Sequence, residues 1–167
     1  MGRRLALVLI ALAGMAAGSP ASSAPAAQSI AVFDVVFVDT SPEPETPAEV
    51  DRTRRLGESL RAELARSGQY RIVDLAPVRA KLAGIADLRT CTGCAQDLGR
   101  ELGARLVAVS WVQKVSNLIL NINIEITDVA TGRAIKAGSV DIRGNTDESW
   151  DRGLKFLLDE HVFGDRP

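Results

Sequence analysis

The chain has 167 residues, a net charge of −1 and two cysteines. That balance favours neither a nucleic acid nor an anionic lipid surface as partner. The length suits one domain with its own core.

The first 27 residues read as a signal peptide. Arg3 and Arg4 precede an apolar run, Leu5 to Ala17, and then a small-residue stretch, Gly18 to Ala27. The run is too short to span a bilayer, which takes about 20 residues. Ala24-Pro25-Ala26 places cleavage near residue 26, and Arg3-Arg4 alone makes a poor twin-arginine signal. Losing Arg3 and Arg4 takes the net charge from −1 to −3. The expected mature protein, residues 28–167, is a single periplasmic or secreted domain. It has no transmembrane segment and no lipid-anchoring cysteine at the cleavage region.

Ser29 to Asp39 is rich in β-branched residues and reads as one buried strand. Thr40 to Thr46 is an acidic, proline-bearing loop. Thr46-Pro47-Ala48-Glu49 carries a cap, a proline suited to the first helical position and a capping-box glutamate. The helix that follows sets Leu56, Leu60 and Leu64 four apart and stops at Gly68. Tyr70 to Leu75 is a short strand, and Val78, Leu82 and Ile85 mark a short helix. A further helix runs from near Cys91 to Gly103, with Cys91, Cys94 or Ala95, Leu98 and Leu102 facing inward. Arg105 to Val112 is an apolar, central strand.

Residues 118–127 alternate strictly. Leu118, Leu120, Ile122, Ile124 and Ile126 form a dry face, and Ile119, Asn121, Asn123, Glu125 and Thr127 a wet one. Ser116-Asn117 is the tight connection into this strand, and Asp128 to Gly132 the turn out of it. Residues 133–143 form the last strand, with a bulge expected at Gly138, where the apolar parity changes. Asn145 is expected to cap a final helix, with Glu148 in the box position. Trp150, Leu154, Leu157, Leu158 and His161 lie along its inner side. The order β-α-β-α-α-β-β-β-α predicts an α/β (α+β) domain with a mixed sheet of about five strands. The first three strands are parallel, the last three form an antiparallel meander, and helices pack on the sheet.

Cys91-Thr92-Gly93-Cys94 is the one reactive constellation. It fits a disulfide that staples the turn in an oxidising compartment. It also fits a thiol–disulfide carrier whose thiolate is favoured by the helix N-terminus. No proline follows Pro77 until Pro167, so the cis-proline that faces a thioredoxin-type pair is missing. Ala95 stands where a c-type haem site needs histidine, and His161 is the only histidine; neither a cofactor nor a metal site is expected. No G-x-S-x-G or phosphate-binding glycine motif occurs.

Two polar groups suggest recognition. Asn121, Asn123 and Glu125 line the wet strand face, although asparagine is a poor strand former. Arg143, Asn145, Asp147 and Trp150 gather at the junction of the last strand and helix, where capping and the helix dipole account for Asn145, Asp147 and Glu148. Trp111 reads as a core or rim residue.

Three segments, Val112 to Asn121, Asp128 to Gly132 and Asp141 to Trp150, resemble the signature of a family of small exported bacterial proteins of unknown function. The resemblance covers the mature chain, including the Cys-x-x-Cys. It implies an association with periplasmic PQQ-dependent alcohol dehydrogenases or their cytochromes. The element order is also similar to the N-terminal domain of TolB and to the related lipoprotein domain of curli secretion, which are binding and assembly modules. The expected function is a non-catalytic accessory protein that binds another protein, or a small ligand, through the polar sheet face and the 143–150 junction. The alternatives are a redox carrier through Cys91 and Cys94, and an envelope assembly module.

Overall fold

A computed structural model describes residues 26–164, so the expected leader lies outside the described residues except for its last two positions. One mixed sheet organises the chain. Its strands are β1 (Gln28–Val32), β2 (Val36–Asp39), β3 (Tyr70–Ile72), β4 (Leu106–Ser116), β5 (Ile119–Asp128) and β6 (Ala134–Arg143). The order is β3-β1-β4-β5-β6, with β2 also paired to β4. β1 pairs in parallel with β3 and β4, β2 pairs in parallel with β4, and β4, β5 and β6 form the antiparallel meander. The helices are α1 (Pro47–Arg66), α2 (Arg79–Ala83), α3 (Cys94–Glu101) and α4 (Asp147–Leu157), and a π-helical turn, Leu158–Phe163, follows α4.

The expected first strand is in fact two. Val32 lies opposite Ala108 and Val36 opposite Trp111, so one extra residue is inserted on the β1–β2 side. This bulge is why the sheet has six strands and not five. Even positions of β1, Ile30 and Val32, share a face with Val35, just before β2, and with Phe37 of β2. Arg61 of α1 seals the break, donating to the Val32 carbonyl and pairing with Asp34.

Two cores flank the sheet. The larger holds Leu56, Leu60 and Leu64 of α1, Trp150, Leu154 and Leu157 of α4, and the even positions of β4 and β5. The smaller holds Ala31 of β1, Phe33 just after it, Val107 of β4, Val78, and Ala95 and Leu98 of α3. Two strand-end expectations are corrected. The β6 irregularity falls at Ile135, opposite Ile126 and Thr127, not at Gly138. Gly138 is small for another reason: a Cβ there would strike His161 of the π-helical turn. Thr146, not Asn145, caps α4, and Ser149 instead of Glu148 closes the box. The third helix starts at Cys94, after Gly93 in the left-handed conformation, so Cys91 stands outside it.

α3 and α4 both lie close on the sheet through a glycine. A Cβ on Gly99 would meet Val107 and Val129, and one on Gly153 would meet Ile142 and Ile122. Gly99→Ala and Gly153→Ala should each destabilise the fold by about 1–3 kcal/mol through overpacking, read from urea unfolding midpoints.

Candidate functional site

Where β2 and β4 end and α1 and α4 begin, the chain buries a lysine. Lys114 follows Val112 on the large-core face of β4, and its side chain is 1% exposed. Its ammonium lies 2.8 Å from Glu49 Oε1, 3.5 Å from Asp39 Oδ2 and 3.9 Å from Glu43 Oε2. Glu49 is itself buried and serves two masters. Its Oε2 closes the α1 capping box, accepting from the Thr46 backbone at 2.6 Å and hydroxyl at 2.8 Å. Its Oε1 accepts from Lys114 and from Asn145 Nδ2 at 2.6 Å.

Asn145 joins this pair to the second helix. Its Oδ1 accepts from Trp150 Nε1 at 3.0 Å and from Arg52 Nη1 at 3.3 Å. Arg52 also donates through Nε to Asp147 Oδ1 at 2.6 Å, and Arg55 reaches Asp147 Oδ2 at 2.9 Å. Asn117 of the β4–β5 turn donates to Glu43 at 2.5 Å and accepts from Asn145 at 3.3 Å. The expected junction of Asn145, Asp147 and Trp150 is therefore real as a cluster, but Asn145 and Asp147 tie α4 to α1 instead of capping α4. Trp150 is buried and stacked on Phe37, with ring centroids 6.1 Å apart, so it supports the cluster from beneath. Arg143 is exposed, with no ion-pair partner among the described residues.

The electrostatics follow from this geometry. Burial pushes the Glu49 carboxyl up, but hydrogen bonds from Lys114, Thr46 and Asn145 outweigh it and hold it below its ordinary value. The hydrogen bond to Glu49 raises the Lys114 ammonium against the opposing effect of burial, helped by the charge of Asp39. Asp39 is lowered, first by its hydrogen bond from Ser41.

The second feature is a bare sheet face. α1 and α4 cover one side of β4–β6, while α2 and α3 cover only the β1 end of the other. The rest of that face carries Trp111, Asn121, Asn123, Glu125, Ser139 and Asp141. Asn121 bridges Ser139 and Asp141, each at 2.9 Å, and Thr127 donates to Glu125 at 3.1 Å. Asn123, between Trp111 and Ser139 in the register, is 7% exposed, whereas Glu125 is open to solvent. The Arg89 guanidinium stands 5.6 Å from the Trp111 ring, a cation–π contact at the edge of this face.

Cys91 and Cys94 face each other across the turn into α3, with Cα atoms 5.6 Å apart, a span that a disulfide bridges. A cleft of about 770 Å³ opens beside the β1–β2 bulge, floored by Phe33, Val36, Ile72, Leu82 and Leu88. Among the described residues, no helix is long and apolar enough to cross a membrane. Lys114, Asp39 and Arg52 did not stand out in the sequence, and Glu49 was read only as the capping-box glutamate, not as an ion-pair partner. The one available signal is that Lys114 falls on the same strand face as Leu106, Ala108 and Val112.

A mixed sheet with helices on one face and half of the other is a fold seen in solved bacterial structures. The chain is similar to the LpoB C-terminal domain from Salmonella enterica, at 20% identity and a TM-score of 0.53, over 73% of this chain and 87% of that one. It is similar to lipoprotein GNA1162 from Neisseria meningitidis, at 23% identity and a TM-score of 0.52, over 78% of this chain and 90% of that one. TolB from Acinetobacter baumannii aligns more loosely, at 13% identity and a TM-score of 0.43, over 72% of this chain and 24% of that one. No curated protein sequence matches. The family model DUF3280, described as "Protein of unknown function (DUF2380)", matches residues 28–162, and the chain belongs to this family.

Lys114→Met would leave Glu49 buried without its cation and should cost about 3–5 kcal/mol. Glu49 has a lowered pKa, so its contribution is present above the unfolded carboxyl value of about 4.3 and lost as pH falls through the folded value. Lys114 has a raised pKa, so its contribution is present below about 10.4 and lost as pH rises through the folded value. Urea midpoints measured across pH should fall at both extremes in the wild-type chain. Glu49→Gln should flatten the acid limb; an unchanged acid limb would refute the assignment.

Proposed function

We propose that this chain is an exported, non-catalytic binding protein that docks a protein partner on the open face of its sheet, beside the α1–α4 junction. The observation that carries this reading is that face itself. Its polar side chains are ordered by one another, with no helix above them among the described residues. Trp111 offers an aromatic anchor of the kind that dominates interfaces. Asn121, Glu125, Ser139 and Asp141 supply hydrogen-bonding groups, while Arg143 and Asp147 stand at the rim. Asn123, nearly buried between Trp111 and Ser139, helps shape this surface, while Trp150 lies in the core on the other side of the sheet and supports the α1–α4 junction.

The compartment follows from the N-terminal pattern, and the fold shared with a lipoprotein supports a place in the cell envelope. The partner expected from the family resemblance is a periplasmic PQQ-dependent dehydrogenase or its cytochrome. An envelope assembly role would use the same face with a different partner. Cys91–Cys94 serves as a staple that holds the turn ahead of α3.

Affinity capture from the periplasm of alcohol-grown cells tests the reading. The wild-type chain should recover a specific protein, whose identity separates dehydrogenase from assembly component. Asn121→Arg combined with Glu125→Arg should cut recovery at least tenfold, about 1.4 kcal/mol, without changing the melting temperature. Equal recovery by wild type and variant would sink the docking face. Replacing both cysteines by serine should lower stability by about 2 kcal/mol for so short a loop and leave capture intact. Loss of capture by that variant, still folded, would speak for redox work instead.

A further inference from the structure

The outer edge of β6 is the least guarded part of the sheet. The Gly144 N–H reaches the Leu118 carbonyl. In the alternation of an antiparallel ladder, Ala137, Ser139, Asp141 and Arg143 therefore turn their backbone N–H and C=O groups away from β5. No described strand pairs with them. Exposed edges are usually blunted by proline, charge or a bulge. Here the bulge sits at the far end, at Ile135, and the centre, Ala137 to Val140, has neither charge nor proline. Along this edge runs a groove of about 390 Å³ between β6 and α4, and beside it Phe156 is 55% exposed.

We propose that β6 pairs antiparallel with β6 of a second copy, about a twofold axis at Val140, to make one continuous sheet. The register is set by charge and pleat. Gly153 backs onto Ile142 and His161 onto Gly138, so α4 and its π-helical turn run antiparallel to β6 with Phe156 level with Val140. A twofold at Val140 brings Phe156 against Phe156 of the second copy. It brings Arg152 to Glu160 of the second copy, and Lys136 to Glu148. Both cross-copy contacts bring opposite charges together, and Asp141 lies opposite Ser139. An axis at Asp141 would set two carboxylates face to face, which is unfavourable. A slip of one residue would match core face to open face. The contact is isologous and closes after two copies.

Sedimentation of the naturally processed protein over a concentration series should show a monomer–dimer equilibrium. Phe156→Glu should weaken it at least tenfold with an unchanged circular dichroism spectrum, and Ser139→Pro, which removes an edge N–H, should do the same. Mixing Ser139→Cys with Asp141→Cys chains should give a covalent dimer under mild oxidation, since directly opposed residues lie about 5.5 Å apart, within disulfide reach. A monomer at every concentration overturns the proposal, as does a dimer untouched by Phe156→Glu or the cross-linking of β6 to a different polypeptide. Partner capture on the open face is a separate measurement and does not move with this result.

Discussion

A cation taken out of water must bring its counter-charge with it, and Lys114 does so at the one point where four elements end. Its carboxylate, Glu49, is also the residue that closes the first turn of α1. The same carboxylate takes a hydrogen bond from Asn145, the residue before the α4 cap. One ion pair thus fixes where both helices start relative to the central strand. A buried pair of this kind adds little net stability over a well-packed apolar pair, but either member alone is strongly destabilising. Strand, loop and both helix starts are for that reason a cooperative unit.

The exposed half of the sheet is the counterpart of this arrangement. β4 sits between two cores because its odd positions near the β1 end, such as Val107, are apolar and its even positions before Lys114, Ser110 apart, are apolar. β5 offers Leu120, Ile122, Ile124 and Ile126 to one side and Asn121, Asn123 and Glu125 to the other. No helix can bury that second row at a profit without matching every amide. The side chains instead bond along and across the strands, a polar surface held at nearly fixed geometry. Rigid, solvent-facing groups lose little entropy when another molecule meets them.

Much of this was legible in the residues. The dry row Leu120, Ile122, Ile124 and Ile126, the Thr46–Glu49 capping box and the parallel-then-meander order all appear in the structure, because each is a local pattern with one good solution; Leu118, expected in that row, lies exposed before the strand, and Asn123 and Thr127, expected wet, are buried. Other features were hidden for physical reasons. Ile30 to Val38 is apolar almost throughout, so a bulge leaves no gap in the pattern. Asn145 and Thr146 are adjacent and both able to cap; tertiary bonds to Glu49, Arg52 and Trp150 claim Asn145, and the cap passes to Thr146. The small residue Gly138 suggested a bulge, yet its purpose is the close passage of His161. Lys114 did not stand out, and nothing local names Glu49, read only as a capping residue, as its partner.

The inserted residue between β1 and β2 reaches further than the break it makes. Because of it, Phe37 points at Trp150 and Asp39 points at Lys114, while Val36 and Val38 turn the other way. A chain one residue shorter between Val32 and Val36 would rotate that whole segment by half a turn. It would swap an aromatic stack and an ionic contact for two valines in a single step. The length of this stretch is therefore under a constraint that originates at the opposite end of the strand.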